Sequence, residues 1–156
     1  MPSARKEKVK LTSSRSLHQG RIARKRKSDH ETVIMQAMIQ HLDSSREYFF
    51  KEGCHILEIW NDPKDSGLSI ARARVAPGVK TRNHWLKGTI ERYLILSGEG
   101  EVQVGSLPPT KVGAGSIVII PETTEQSIRN SGDEDLLFLA ICSPRFNPAN
   151  YFDRES

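Results

Sequence analysis

Short runs of β-forming residues, each ended by a turn, constrain the fold of this chain more than any other feature. The runs lie between residues 54 and 142, and Gly, Pro, Asn and Asp occupy the turns between them. They are residues 54–60, 69–75, 92–96, 101–104, 117–120, 126–129 and 136–142. Short strands with a turn about every 8 to 12 residues predict an all-β sandwich or barrel. The sequence contains no βαβ alternation, phosphate-binding loop or dinucleotide fingerprint.

The positive charge of the chain is concentrated before these strands. Residues 1–30 contain ten Lys or Arg and two acidic residues, whereas residues 31–156 contain 13 Lys or Arg and 17 acidic residues. Because the apolar residues of 1–30 are few and have no period, we predict a disordered basic tail. The basic cluster at 24–27 would suit contact with phosphates, anionic lipid or a nuclear import receptor. The segment also has the composition of an organellar transit peptide. The remaining interpretation is a solvated extension with no function. Nucleic-acid binding is expected only through this tail.

A helical pattern follows the tail. Ser28 and Glu31 are spaced as a capping box, in which the two side chains satisfy each other's free backbone amides. After them, one helical face carries Ile34, Met38, His41 and Leu42. We therefore predict a short amphipathic helix over 31–42, within a helix-and-linker segment at 31–47. The barrel domain is then expected at 48–156.

Apolar stretches and cysteines exclude several protein classes. The longest apolar run has seven residues, 136–142, whereas a membrane-spanning helix needs about 20. No stretch near the start has the pattern of a secretory signal, and two cysteines are too few for a disulfide scaffold or a four-thiolate zinc site. Cys54 and Cys142 are expected to be free thiols in a reducing compartment, which indicates a cytoplasmic protein.

Two spaced motifs in the strand region resemble those of the cupin superfamily. The first common cupin motif is G-x5-H-x-H-x4-E-x6-G, and the second is G-x5-P-x-G-x2-H-x3-N. The first frame is filled here by Gly78, His84, Leu86, Glu91 and Gly98; the second is filled by Gly115, Pro121, Thr123, Gln126 and Asn130. The resemblance covers about residues 69–144. It implies a double-stranded β-helix, the jelly-roll cupin barrel, in a small single-domain cupin with a degenerate metal motif.

The departures from these motifs fall on positions that bind metal in metal-dependent cupins, where three histidines and a carboxylate share one divalent ion. Leu86 replaces the second histidine of the first motif, and Gln126 replaces the histidine of the second. An amide oxygen is a poorer ligand than imidazole for the metals concerned. We therefore expect a polar cluster and no tightly bound cofactor. The alternative is a divalent ion (Fe, Mn, Zn or Ni) held by His84, Glu91 and Gln126.

Alternation along the strands extends the predicted site. Side chains two residues apart on a strand share a face. Arg82 therefore lies with His84 and Leu86, Tyr93 with Glu91, and Ile128 with Gln126. The predicted catalytic residues are Glu91, Tyr93 and His84; the predicted ligand-binding residues are Arg82, Leu86, Gln126 and Ile128. Arg82 and Tyr93 together would suit an anionic or hydroxylated ligand, because the Arg guanidinium matches a carboxylate. The sequence leaves open whether Arg72 and Arg74 face the interior, and a solvated face is the preferred interpretation.

Three functions follow from these residues. The first is a small-molecule-binding cupin of unassigned substrate, acting as a lyase or isomerase that transfers protons within the barrel. The second is a metal-dependent enzyme of dioxygenase, lyase or sugar-isomerase type. The third is a ligand-sensing regulator, so the sequence does not decide whether the protein is an enzyme. A homodimer is expected from the sheet edges, with the 31–42 helix and Phe146, Tyr151 and Phe152 as candidate contacts.

Overall fold

Eleven strands make up about half of residues 35–154, which are the residues that the computed structural model describes. The strands are β1 (Tyr48–Phe50), β2 (Cys54–Trp60), β3 (Ser69–Val75), β4 (His84–Leu86), β5 (Ile90–Ser97), β6 (Glu99–Val104), β7 (Thr110–Gly113), β8 (Ile117–Ile120), β9 (Gln126–Asn130), β10 (Leu136–Ser143) and β11 (Tyr151–Asp153). Two 3-10 turns, Ser44–Arg46 and Pro148–Asn150, precede β1 and β11. Each of the seven runs predicted from the sequence lies within one of these strands.

The strands form two antiparallel sheets. The six-stranded sheet has the order β1-β2-β3-β10-β5-β8, and the five-stranded sheet has the order β11-β4-β9-β6-β7. Most of the neighbours are distant in sequence, so the sheets are linked by crossovers rather than by simple hairpins. The all-β, double-stranded β-helix prediction is therefore confirmed. No helix within residues 35–154 has the length and apolar character needed to cross a membrane.

The interior changes from apolar to polar along its length. On β10 the inward residues run from Phe138 to Cys142, and on the adjacent β5 they run from Ile95 to Glu91. Phe138 pairs with Ile95, and Cys142 pairs with Glu91, so the same change occurs on both strands. Residues from both sheets pack around the Phe138 end and fill it. The Glu91 end is where polar groups and a cavity are found.

Arg72 and Arg74 lie on the outer face of the six-stranded sheet. Between them, Ala73 is buried in the interior. Both guanidinium groups bind Glu47, with Nη2–Oε distances of 3.1 Å for Arg72 and 2.6 Å for Arg74. The hydrogen bond from Arg74 lowers the pKa of the Glu47 carboxyl, and Arg72 acts in the same direction. The barrel interior receives no cation from this strand, as the preferred interpretation of the sequence expected.

The predicted 31–42 helix is wrong over the part that the structure describes. Residues 35–43 are non-helical, and Met38 and Ile39 are 61% and 86% exposed. An isolated helix of this length is marginal in water unless its apolar face is covered, and among residues 35–154 no element covers the side chains of Met38 and Ile39. Instead, the Gln40 side-chain amide donates to the Ile59 carbonyl at 2.7 Å, at the part of β2 that β1 does not reach. The basic tail predicted at 1–30 lies outside the described residues.

The end of the domain packs back onto the barrel. Strand β11 pairs with β4, so that Tyr151 lies opposite Leu86 and Asp153 lies opposite His84. Tyr151 is buried against Phe50, whereas Phe152 is exposed and stacks on Trp85. Tyr151 is therefore buried within its own domain and does not contribute an exposed surface for dimerisation.

Candidate functional site

His84, Glu91 and Gln126 converge at the polar end of the barrel interior. His84 on β4 pairs directly with Gln126 on β9, and the two residues are 2% and 1% exposed. The Gln126 Nε2 donates to the Glu91 Oε2 at 2.5 Å, which joins the two sheets. The two sequence motifs are brought together in this way because each places its polar residue on the inward side of its strand.

A fourth polar residue, Glu52, belongs to this cluster and was not predicted from the sequence. It lies in the turn between β1 and β2 and is 8% exposed. Its Oε2 is 3.5 Å from the His84 Nε2, and its Oε1 accepts a hydrogen bond from the Cys54 thiol at 3.1 Å. A carboxylate in a Lys-Glu-Gly turn is typical of a solvated hairpin, so the local sequence gives no signal of burial.

The His84 ring is fixed by three neighbours. Its Nδ1 is 2.9 Å from the carbonyl oxygen of Arg82, which can only accept, so Nδ1 carries a proton and donates it. Its Nε2 faces Glu52. One face of the ring stacks on Tyr151, with the ring centres 5.1 Å apart and an angle of 19° between the planes. The Nε2 is therefore the ring nitrogen that faces another side chain, the Glu52 carboxylate.

Glu91 is a buried carboxyl that can change protonation near neutral pH. Burial raises its pKa from 4.5 to about 7, and the nearby Glu52 charge also raises it. The positive form of His84 and the hydrogen bonds from Gln126 and Cys142 oppose this rise. The Cys142 thiol donates to the Glu91 Oε1 at 3.8 Å. Buried thiols next to carboxylates are poor nucleophiles, and burial raises the pKa of both Cys54 and Cys142.

A cavity of about 60 Å³, partly open to solvent, lies against the inner face of the six-stranded sheet and reaches Glu91. Its aromatic wall is formed by Tyr48, Phe50, Trp60, Tyr93, Phe138 and Phe146. Its polar wall is formed by Glu52, Glu58, Asn61, Ser69, Glu91 and Cys142. Tyr93 lies on Phe138 with ring centres 4.4 Å apart, and burial raises the Tyr93 pKa well above its ordinary value. The Tyr93 hydroxyl therefore stays protonated and can act as a donor.

The remaining predicted site residues do not line this cavity. His84 and Gln126 lie behind Glu91. Leu86 packs with Cys142 and Tyr151, and Ile128 belongs to the main apolar core. Arg82 is exposed, and its backbone N–H donates to the Glu52 carbonyl at 2.8 Å. Of the predicted residues, Glu91 and Tyr93 are the two that a molecule in the cavity can touch.

The side chains of the polar cluster do not fit a tightly held divalent ion. Among residues 35–154, no three His, Cys, Asp or Glu side chains are arranged to share a metal. The His84 Nε2 faces Glu52, the Glu91 carboxylate takes the Gln126 amide, and Leu86 contributes an apolar side chain. The Gln126 Oε1 is a buried acceptor with no hydrogen-bond partner, but one amide oxygen is a weak ligand for these metals.

Restoring the two missing histidines should create a metal site. We expect Leu86→His combined with Gln126→His to retain about one equivalent of Zn²⁺ or Ni²⁺ through dialysis, because imidazole is the preferred ligand of these ions. The change also removes the amide that now holds Glu91, which frees that carboxylate to coordinate. Elemental analysis of the dialysed proteins measures the effect, and each single variant serves as a control. Retention of one equivalent by the wild type would show that the present residues already form a metal site.

Comparison with known proteins agrees with this architecture. Residues 71–142 match the family model described as "Cupin domain". None of the curated proteins is detectably similar in sequence. A Klebsiella pneumoniae protein with a double-stranded β-helix domain superposes with a TM-score of 0.62 at 19% identity, over 78% of this chain and all of that one.

Two further solved structures are similar to this chain. Streptomyces Pac13, a nucleoside dehydratase, gives a TM-score of 0.61 at 17% identity, over 74% of this chain and 91% of that one. KdgF from Halomonas sp. gives 0.61 at 14% identity, over 72% and 99% of the two chains. At these identities the likeness concerns the fold alone. Residues 71–142 of this chain are a cupin domain.

Proposed function

We propose that this protein binds a small organic molecule in the aromatic cavity and transfers a proton on it through Glu91, in a lyase or isomerase reaction that needs no tightly bound metal. The observation that carries the proposal is a buried carboxyl at the wall of an aromatic cavity. A general acid or base works best when its pKa is near the working pH, and the Glu91 pKa of about 7 meets that requirement.

The surrounding residues support this role in different ways. The Gln126 amide fixes one carboxylate oxygen of Glu91, so the proton-transferring group has a defined position. Tyr93 lies on the same cavity wall and keeps its proton, so its hydroxyl can donate a hydrogen bond to an oxygen of the substrate. His84 does not line the cavity, and we assign it a positioning role through its charge and its contact with Glu52.

The structural neighbours make such a reaction reasonable without identifying it. Pac13 is described as a nucleoside dehydratase, and loss of water from a substrate requires proton transfer. That activity belongs to Pac13, which is 17% identical to this chain. For the present protein it supports a search among hydroxylated and carbonyl compounds, in which an acid or base can remove or deliver a proton next to the reacting bond.

Turnover in D2O tests the proposal. A panel of small hydroxylated and carbonyl compounds, including acids, neutral sugars and amines, is incubated with the purified full chain, and proton NMR follows deuterium uptake and product formation. We expect Glu91→Gln to lower the rate on any active compound by about 100- to 10,000-fold, the usual contribution of general acid–base catalysis. Glu101→Gln, which changes an exposed carboxylate on β6, is the matched control.

Other outcomes would point to the competing functions. Activity of Glu91→Gln equal to that of the wild type would contradict a role for this residue. Loss of activity on dialysis against a chelator, with recovery on adding a divalent ion, would indicate the metal-dependent alternative. Binding without turnover for every compound would indicate a ligand-sensing protein.

A further inference from the structure

The cavity that holds Glu91 has an acidic wall. Carboxylates of Glu52, Glu58 and Glu91 line it, and no Lys, Arg or His of residues 35–154 is part of its lining. His84 lies behind the wall, with its Nε2 3.5 Å from the Glu52 Oε2. Even when Glu91, whose pKa is about 7, holds its proton, the carboxylates of Glu52 and Glu58 outnumber this one imidazole, so the wall keeps an excess of negative charge. An anionic ligand would lose its hydration there and meet no opposite charge in return.

Cations near the cavity are engaged on other sides. Arg72 and Arg74 bind Glu47 on the outer face of the sheet. Arg145 donates to the Asn61 Oδ1 at 2.5 Å, and Asn61, not Arg145, contributes to the wall. Lys51 lies 4.4 Å from the centre of the Tyr151 ring and pairs with Asp153 at 3.4 Å. These contacts keep the four side chains away from the lining, and Arg82, which suggested an anionic ligand in the sequence, is not part of the lining either.

Aromatic rings supply a second feature that favours positive charge. Tyr48, Phe50, Trp60 and Phe146 lie on the wall, and Glu58 is at the exposed end of the same strand as Trp60. The face of an aromatic ring carries partial negative charge and attracts a cation that approaches it. An ammonium group can therefore satisfy a carboxylate and a ring at once. The volume of about 60 Å³ is several times the roughly 10 to 15 Å³ that one water needs, so the cavity has room for a small organic group.

We propose that the ligand of this cavity is a small primary amine in its ammonium form, with the charged group at the carboxylates and its apolar body on the rings. The inference rests on the proposed function, because it names the substrate class of the Glu91 cavity. It extends that function by excluding free carboxylic acids and phosphates as preferred ligands. The remainder of a larger amine would lie at the open mouth, beside Glu58 and Trp60.

Three probes with the same four-carbon body separate charge from shape. Butylammonium, butyrate and butan-1-ol are titrated into the ¹⁵N-labelled full chain, and amide shifts give each dissociation constant. We expect butylammonium to bind about tenfold more tightly than butan-1-ol, the scale of one added cation–π or charge-assisted contact, and butyrate to bind most weakly. Equal or tighter binding of butyrate would overturn the proposal.

Carboxylate variants locate the charge that is recognised. We expect Glu52→Gln to weaken butylammonium binding several-fold and to leave butan-1-ol binding unchanged. Because Glu52 is buried and its replacement could disturb folding, Glu58→Gln provides a second test at an exposed position. Glu101→Gln should change nothing. If neither Glu52→Gln nor Glu58→Gln alters the preference for the ammonium, the inference is wrong.

The binding assay is independent of the turnover assay. Ammonium selectivity combined with full activity of Glu91→Gln would contradict the proposed function and retain the ligand class. Loss of turnover in Glu91→Gln combined with preference for butyrate would retain the proton-transfer role and contradict the ligand class. The proposed function and the proposed ligand class can therefore be contradicted independently of each other.

Discussion

Glu91→Gln should stabilise the protein relative to the wild type as the pH rises from 5 to 8, by roughly 3 kcal/mol in total. The effect arises because burial raises the Glu91 pKa from 4.5 to about 7 in the folded state. Between these two values the folded protein holds a proton that the unfolded chain has released. The wild type is therefore favoured at low pH and loses this contribution as the pH rises through about 7. Glutamine has no proton to lose, so the variant lacks this dependence.

Urea unfolding at several pH values measures this difference. The quantity of interest is the free energy of unfolding of the variant minus that of the wild type, because groups far from Glu91 titrate equally in both proteins and cancel in the difference. Glu47, whose pKa is lowered by Arg74, contributes an opposite slope at lower pH in both proteins, which cancels in the difference. Glu101→Gln, at an exposed site, should give a flat difference. Parallel curves for Glu91→Gln and the wild type would show that Glu91 ionises in the folded state as it does in water.

The sequence predicted the long strands well because their period is regular. Strands β2, β3, β5 and β10 have seven or eight residues each, which is enough for alternation and flanking turns to be recognised. Strands β1 and β11 have three residues each, and such short segments show no period. They form because partners already exist: β1 on β2, and β11 on β4. Their positions depend on the assembled sheets rather than on local sequence.

The predicted helix shows the opposite limitation. Residues 34–42 have the apolar spacing of a helix, but the described part of this segment is non-helical and exposed. Amphipathic spacing indicates only that a helix would have an apolar face; it does not supply a surface for that face to cover. The hydrogen bond from Gln40 to β2 depends on the unpaired stretch of β2, which the sequence of the segment itself cannot reveal.

The candidate site was predictable only where the family motifs reach. The motifs supplied His84, Glu91 and Gln126, which the two sheets bring together. The cavity itself is largely lined by β2, β3 and the β1–β2 turn, which lie before or at the edge of the first motif. Its acidic character therefore depends on Glu52 and Glu58, two residues outside both motifs. Strand alternation alone assigned Arg82 to the interior, because the chain before β4 was taken as a continuous strand, and it is not.

Two glycines of the motifs are needed for different reasons: one for its positive φ alone, the other for its positive φ and for a close backbone contact. Replacing each of them by alanine should separate these two reasons. Gly98 and Gly115 both have positive φ, +82° and +85°, so alanine at either position is strained. A Cβ on Gly98 would also lie 2.7 Å from the Asp135 carbonyl oxygen and 2.8 Å from the Leu136 Cα, whereas a Cβ on Gly115 would meet nothing within 4 Å. The close contacts at Gly98 are with backbone atoms, so no side-chain rotation relieves them.

We expect Gly98→Ala to lower the free energy of unfolding by about 3 to 4 kcal/mol and Gly115→Ala by about 1 kcal/mol. The larger loss arises because Leu136 is fully buried and paired with Val75, so the start of β10 cannot move away without disturbing the core that Phe138 fills. Urea unfolding of the two variants at one pH measures both values, and Gly115→Ala isolates the cost of backbone strain. Similar losses in the two variants would mean that strain alone explains the glycine of the β5–β6 turn and that the β10 backbone can shift to admit a methyl group.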